Sequence, residues 1–280
     1  MLEPFNLPYV QEGLIEILLL SVAAGLIGSW VVLRGLSFYS HAVGTATFPG
    51  LVLADGVGFS PALGAFGMAA VFTAFSSLLA RARRSTVDSV TALTLVACMA
   101  AGVILASDLF GSGANVDTLL FGSLLAIDSG DIALAAASAA VAALAVGLLG
   151  PRWLAKGFDE GAADALGAGS RLFDLALTAV VAFTVIATLS AVGALLVATM
   201  MVVPAATVRL VTSRLATLQL GSVLLVAAEG TFGLWLSVKT DAPPGATVAV
   251  VSGAVFALTA LAKALRPARL AALALALGAL

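Results

Sequence analysis

The stretch GDIALAAASAAVAALAVGLLG, residues 130–150, decides the fold class. After Asp131 it contains no charged residue, and about 20 helical residues are enough to cross a bilayer core about 30 Å thick. The run is rich in Ala, Leu and Val and does not alternate apolar with polar residues, which favours a helix over a barrel strand. Because only helices and closed barrels satisfy their backbone in lipid, the stretch predicts a transmembrane helix.

Similar runs recur along the whole chain of 280 residues, of which 61% are hydrophobic and 10% are charged. A soluble domain carries about 25% charged residues, and a chain of this size cannot bury so much apolar surface in its own core. We therefore predict one all-α transmembrane domain over residues 1–280, a polytopic helical bundle with about eight or nine spans. The predicted spans are 12–34, 41–57, 59–81, 89–107, 130–150, 172–190, 193–210, 215–238 and 245–266.

The basic residues orient this bundle, because cytoplasmic loops are enriched in Lys and Arg. With the N-terminus outside and nine spans, 12 of the 13 basic residues fall on the cytoplasmic side, and Lys239 is the exception. An eight-span arrangement, in which one run does not cross, is the alternative. Residues 118–127 are too short to cross and are expected to be re-entrant or interfacial. The acidic residues expected on the outer side are Glu3, Glu12, Asp55, Asp108, Asp117, Asp128, Asp131 and Asp241.

Composition excludes several classes of function. The net charge of −2 gives no electrostatic basis for nucleic-acid binding. A single cysteine, Cys98, excludes a disulfide framework and a thiolate metal site, and a single histidine, His41, excludes a His cluster. No Walker A, G-x-S-x-G or H-E-x-x-H motif is present, so the chain is not expected to be an enzyme. Transport would be driven by a gradient or by another polypeptide.

The longest polar cytoplasmic stretch, residues 151–171, is a candidate docking loop. Its middle, from Asp159 to Leu166, has helical character and is flanked by glycines. A short helix of this kind fits a groove on a partner protein, although a solvated connector would have a similar composition.

Polar residues inside the predicted spans are candidates for a translocation path. His41 and Thr45 are four residues apart and share one helix face, so they could contact a passing ion, although a lone His in a helix also serves in packing. His41 alone cannot form a closed metal site. Glu229 is a second candidate, or else an interior hydrogen-bonding group.

Three further positions are expected to break or gate helices. Pro49, Gly50 and Pro204 lie inside predicted spans, where proline removes a backbone donor. The sequence STVD at 85–88 is expected to cap the N-terminus of the fourth span.

Seven short motifs, in order along nearly the whole chain, resemble the membrane subunits of the zinc/manganese-type metal ABC importers, the ABC-3 family. They are VVLRG (31–35), FPG (48–50), LFGSLLA (120–126), FDEGAADALG (158–167), LLVATMMVVPAATVRL (195–210), GLWLS (233–237) and APPGATV (242–248).

The resemblance implies a permease of the type II ABC importer fold in a prokaryotic plasma membrane. Two permease copies would enclose the path, two ATPase subunits would bind their cytoplasmic faces, and an extracytoplasmic metal-binding protein would deliver the ion. A divalent metal would be cargo, and no cofactor would be permanently bound. By the same resemblance, the residues that couple the permease to the ATPase are Phe158, Asp159, Glu160 and Gly167.

One departure from the family concerns the second span, which typically reads Asp-Ala-Leu-Ser-His-Ala-x-Leu-Pro-Gly. An ungapped match anchored on Arg34 and on Pro49-Gly50 places His41 at the Asp position and Thr45 at the His position. Pairing Ser40-His41 with the family's Ser-His instead needs a four-residue shift. Loss of an anionic oxygen ligand weakens interaction with manganese more than with zinc, so zinc is expected first and manganese next.

Two other functions compete with metal import. The first is an ABC permease for a metal chelate or a vitamin. The second is a gradient-driven carrier or channel, for which Glu229 would supply the membrane carboxylate.

Overall fold

The computed structural model describes residues 7–82, 87–109, 127–158, 163, 169–193 and 197–277. Every element over these ranges is helical. In chain order the α-helices are α1 Pro8–Leu33, α2 Ser37–Ala46, α3 Phe48–Val57, α4 Pro61–Ala82, α5 Val87–Ile104, α6 Ser129–Phe158, α7 Arg171–Ala187, α8 Leu189–Val192, α9 Val197–Val211, α10 Leu215–Thr240 and α11 Pro244–Leu277. A π-helical turn, Leu105–Leu109, extends α5.

The helices confirm the predicted fold class, a polytopic membrane bundle, and each predicted span overlaps helical structure. Within the described residues, five helices are both long and apolar enough to cross a membrane. They are Pro8–Leu33, Ser89–Ser107, Ser129–Phe158, Leu215–Thr240 and Pro244–Leu265. Shorter apolar helices occur at Pro61–Ser76 and Thr199–Val211.

Helix α1 lies at the centre of the bundle and packs against α6, α9 and α10. Of its most apolar window, 67% is buried, against 11% for α11. Small residues allow this close packing. A Cβ added at Gly28 would collide with the carbonyl oxygen of Met201 in α9, and one at Gly25 would collide with the backbone of Val223 in α10. In lipid, such close backbone approach is a main source of helix association.

The second predicted span is not one helix but two, α2 and α3, which meet at Thr47. The Thr47 hydroxyl donates to the carbonyl oxygen of Gly44 over 2.6 Å and so satisfies an acceptor at the end of α2. Pro49 and Gly50 fall in the first turn of α3, just after the interruption. At Gly50, α3 meets Gly64 of α4 so closely that a Cβ on either glycine would strike the other's carbonyl oxygen.

Two expectations about helix boundaries need correction. Pro204 was expected to kink or unwind its span; helix α9 continues through it, so the chain is not unwound there, and a kink at Pro204 stays a prediction. Helix α6 continues through Pro151 to Phe158, so the first half of the predicted loop 151–171 is helical. In the turn that includes Pro151, Arg152 Nη1 donates to the carbonyl oxygen of Leu148 over 3.0 Å. Neighbouring helices supply further partners for the end of α6, which tertiary contacts therefore maintain as helix.

Two predicted features lie outside the described residues. They are the re-entrant piece within 118–127, of which only Ile127 is described, and the first part of the cap at 85–88. Helix α5 begins at Val87.

Candidate functional site

Helix α2 carries His41 and Thr45 within the interrupted second span. Thr45 is 5% exposed and His41 is half-buried. The Thr45 hydroxyl donates to the carbonyl oxygen of His41 over 3.0 Å, so it bonds the backbone of His41 rather than the imidazole. Both residues lie on one face of α2, with the hydroxyl oxygen still able to accept a further bond.

The His41 imidazole has no hydrogen-bond or ion-pair partner among the residues that the structure describes. Within the same residues, no group of three or more His, Cys, Asp or Glu side chains could hold a metal ion.

The other side of α2 is fixed by packing. Tyr39 Oη and Thr73 Oγ1 of α4 are hydrogen-bonded over 2.9 Å, and the Tyr39 ring lies beside Phe72. Helix α2 also packs against α5, α7 and α9. These contacts hold the helix rotation that sets where His41 points.

Glu229 lies in the middle of α10 and is 3% exposed. Its Oε2 accepts a hydrogen bond from Ser252 of α11, and its Oε1 has no partner within the described structure. Helices α2 and α10 share no extended packing interface. The structure therefore does not bring Glu229 together with His41 and Thr45.

Glu16 is a second membrane carboxylate, and the sequence reasoning missed it. It lies on α1 and is fully buried. Ile17, the next residue, contacts Gly230 of α10, so Glu16 and Glu229 occupy a similar depth in the bundle. The available signal was its position inside the predicted span 12–34, between Ile15 and Ile17.

Of the four proposed coupling residues, Phe158 is described, and it is 88% exposed at the end of α6. Asp159, Glu160 and Gly167 lie outside the described residues. The flanks of this segment are well defined. On its C-terminal side, the Ser170 hydroxyl accepts from the backbone N–H of Leu172 and caps α7.

A charged cluster joins these flanks at the predicted cytoplasmic end of the bundle. Asp174 of α7 accepts from Arg34 Nη2 over 3.0 Å through Oδ1 and from Lys156 Nζ over 2.5 Å through Oδ2. Lys156 also donates to the carbonyl oxygens of Gly169 and Ser170, at 3.4 and 3.5 Å. Sequence reasoning used Arg34 and Lys156 as topology markers, and Arg34 also as an anchor of the family match, but it gave neither residue a partner. It missed Asp174, whose signal was a lone acid three residues after Arg171 in an apolar run.

Aromatic contacts reinforce this end. Trp153 Nε1 donates to the carbonyl oxygen of Phe173 over 2.8 Å, and Arg34 Nη1 donates to that of Trp153 over 3.2 Å. The rings of Trp30 and Trp153 meet edge to face, with centroids 5.5 Å apart. The ends of α1 and α6 and the start of α7 are thus bonded to one another.

Two cavities differ in the charge of the residues that line them, in the sense that the predicted topology expects. One, of 250 Å³, is lined by Arg34, Arg209 and Phe158 among others. The other, of 620 Å³, is lined by Asp128 and Asp131 next to the start of α4. Basic residues therefore line the cavity at the predicted inner end and acidic residues the one at the predicted outer end.

Comparison with known proteins identifies what this arrangement is similar to. The model of the ABC 3 transport family matches residues 6–263. The manganese transport system membrane protein MntC of Halalkalibacterium halodurans is 28% identical over 251 residues, covering 89% of this chain and 86% of that protein. The chelated iron transport system membrane protein YfeC of Yersinia pestis is 26% identical over 256 residues, covering 91% of this chain and 87% of that protein.

Solved structures agree in fold. PsaBC from Streptococcus pneumoniae in complex with Fab superposes with a TM-score of 0.83 at 22% identity, covering 92% of this chain and 95% of that one. An inward-facing conformation of a putative metal-chelate type ABC transporter gives a TM-score of 0.65 at 18% identity, covering 88% and 84%.

Proposed function

Because the chain belongs to the ABC 3 transport family, we propose that it is the membrane permease of an ATP-driven importer for divalent metal ions. It is an integral protein of a prokaryotic plasma membrane. The observation that carries the proposal is the family match, which extends over residues 6–263 and so includes every helix from α1 to α10. Manganese and chelated iron are named for the relatives, which supports a first-row metal as cargo.

The proposed assembly is the one that the family resemblance implies. The given sequence contains no Walker A motif, and by that resemblance two copies of a separate ATPase would bind the cytoplasmic face around Phe158, Asp159, Glu160 and Gly167. An extracytoplasmic binding protein would deliver the metal at the outer end, where Asp128 and Asp131 line a cavity. A second permease copy would complete the path.

The proposed path contact is the face of α2 that carries His41 and Thr45. An imidazole and a hydroxyl without a carboxylate favour zinc over manganese, because manganese prefers oxygen ligands. The relatives' names point instead to manganese. We rank zinc first and manganese next, and competition between the two ions in uptake distinguishes them.

A metal chelate is the second candidate cargo. The relative from Yersinia pestis is named for chelated iron, and no group of metal ligands is found among the described residues. A chelated metal keeps its ligands and needs no such group.

The test is metal accumulation in cells that lack the gene and are complemented with variants under metal starvation. The wild-type protein is expected to restore accumulation of one metal among zinc, manganese, iron and cobalt. His41→Ala is expected to lower accumulation of that metal at unchanged protein level. Thr45→Val is expected to do the same more weakly. Thr240→Val is the matched control, since its hydroxyl also donates to a carbonyl four residues earlier but lies exposed at the end of α10.

Three outcomes would contradict parts of the proposal. Uptake that survives ATP depletion and collapses with an uncoupler would contradict the ABC mechanism. If wild type restored uptake of a supplied metal chelate but of no free metal ion, the chelate would be favoured as cargo. Normal uptake by His41→Ala would remove His41 from the path.

A further inference from the structure

We propose that Asp174 is a positioning residue that ties the ATPase-docking segment to the central helix α1, so that movement of the segment moves the bundle. The proposal rests on the proposed function, since it assumes that an ATPase binds next to Phe158. By docking segment we mean residues 159–168, and the proposal concerns residues on either side of it, all of which the structure describes.

The geometry places one carboxylate between two helices. Each oxygen of Asp174 has its own cation, Arg34 at 3.0 Å and Lys156 at 2.5 Å. Arg34 directly follows α1, and Lys156 lies in the last turn of α6. One side chain of α7 therefore links the ends of two other helices.

Lys156 bonds the residues before the docking segment to those after it. Its side chain is 5% exposed, and its ammonium group also reaches the carbonyl oxygens of Gly169 and Ser170, just before α7. The two flanks of the segment are thus held together by one buried ammonium group with three acceptors. A cation so buried is stable only while its acceptors are present.

Arg34 carries the connection onward to α1. It donates to Asp174 and to the carbonyl oxygen of Trp153, and so spans α7 and α6. Helix α1 runs through the centre of the bundle against α6, α9 and α10. Displacement of the docking segment is therefore passed through Asp174 and Arg34 to the helix that touches most of the molecule.

Replacement of Asp174 by Asn removes the negative charge and nearly preserves the size of the side chain. Asparagine is similar in size and can still accept a hydrogen bond, but it cannot neutralise two cations. The contact between segment and α1 would loosen while the helices remain in place. The expected consequence is ATP hydrolysis that no longer drives transport efficiently.

The experiment uses proteoliposomes that contain the full permease with its ATPase, supplied with metal-loaded binding protein. Metal taken up and ATP hydrolysed are measured in the same vesicles. Asp174→Asn is expected to lower uptake per ATP by about fivefold or more, the range of an ordinary coupling energy, and Asp174→Glu to restore part of it. Asp241→Asn is the control, because Asp241 lies exposed at the end of α10 in a left-handed conformation that asparagine also adopts. It has no cationic partner among the described residues.

Arg34→Gln is a second variant, in case Asp174→Asn does not assemble. It leaves the Lys156–Asp174 pair intact and breaks only the link to α1, and the same loss of uptake per ATP is expected. Unchanged uptake per ATP in these variants would overturn the proposal, as would a proportional loss of both activities together with thermal stability. Wild-type vesicles without ATP-dependent uptake would instead contradict the proposed function.

Discussion

Single glycine positions show how closely this bundle is packed. Gly50 of α3 and Gly64 of α4 bring two backbones together, with each glycine facing the other's carbonyl oxygen. Gly67, one turn further along α4, has open space at its Cβ position. The sequence does not distinguish these two glycines of α4, and the packing of the folded helices does.

We therefore expect Gly64→Ala to reduce the free energy of unfolding by about 1–3 kcal/mol, because the added methyl group must push α3 and α4 apart. Gly67→Ala, the control, should be neutral or slightly stabilising, since alanine is the better helix former. Thermal unfolding of the purified variants in detergent measures both. Equal stability of the two would show that the contact between α3 and α4 tolerates a methyl group.

The stability of a helix depends on whether the backbone N–H and C=O groups at its ends find hydrogen-bond partners. The second span is divided at Thr47, where the buried hydroxyl and the backbone N–H of Thr47 both donate to the carbonyl oxygen of Gly44. Interrupted membrane helices are tolerated only when the freed backbone groups find such partners. The division lies two residues after Thr45, so it also sets the position of the candidate path face.

Thr47→Val tests this role. Loss of the hydroxyl is expected to reduce the free energy of unfolding by about 0.5–1.5 kcal/mol. Thr259→Val is the control, because the Thr259 hydroxyl donates to a carbonyl inside the uninterrupted helix α11, where backbone bonds suffice. A loss of the same size in both variants would contradict a special role for Thr47.

The positions of helices could be predicted from sequence, and their ends and partners could not. Hydropathy is local, so the span predicted at 59–81 falls on α4, Pro61–Ala82. The predicted span ended at residue 150, just before Pro151, whereas α6 continues to Phe158. Side chains in this last part, Trp153 and Lys156, form hydrogen bonds to residues of α7. Their pairing depends on residues 18 and 20 positions away, which no local pattern reveals.

The candidate site was predictable only in part, for the same reason. His41 and Thr45 are neighbours on one helix face, and their spacing was enough to group them. Asp174 and Arg34 are 140 positions apart, and their ion pair exists only in the folded bundle. Glu229 could be recognised as a membrane carboxylate, but its hydroxyl partner, Ser252, lies on another helix.

On the scale of the whole molecule, the distribution of charge predicts orientation. Basic residues line the cavity next to Phe158, and acidic residues line the one next to Ser60. Cytoplasmic ends of membrane proteins are enriched in Lys and Arg. The end that carries Arg34 and Arg209 should therefore face the cytoplasm.

Single cysteines placed in a Cys98→Ser background test this orientation. Asp241→Cys, at the exposed end of α10, should react with a membrane-impermeant thiol reagent in intact cells. Phe158→Cys, at the exposed end of α6, should react only after the membrane is permeabilised. The reverse pattern would invert the topology and move the proposed ATPase surface to the outside.

The central position of α1 also has a consequence for synthesis. This helix is translated before the other described helices, and its neighbour α10 begins only at Leu215. At about 5–20 residues per second, the ribosome needs roughly 10–40 s to make the chain between them. During that interval the surface of α1 around Ile17 and Gly25 has no α10 to pack against. Until α10 inserts, lipid or another protein segment must cover that surface.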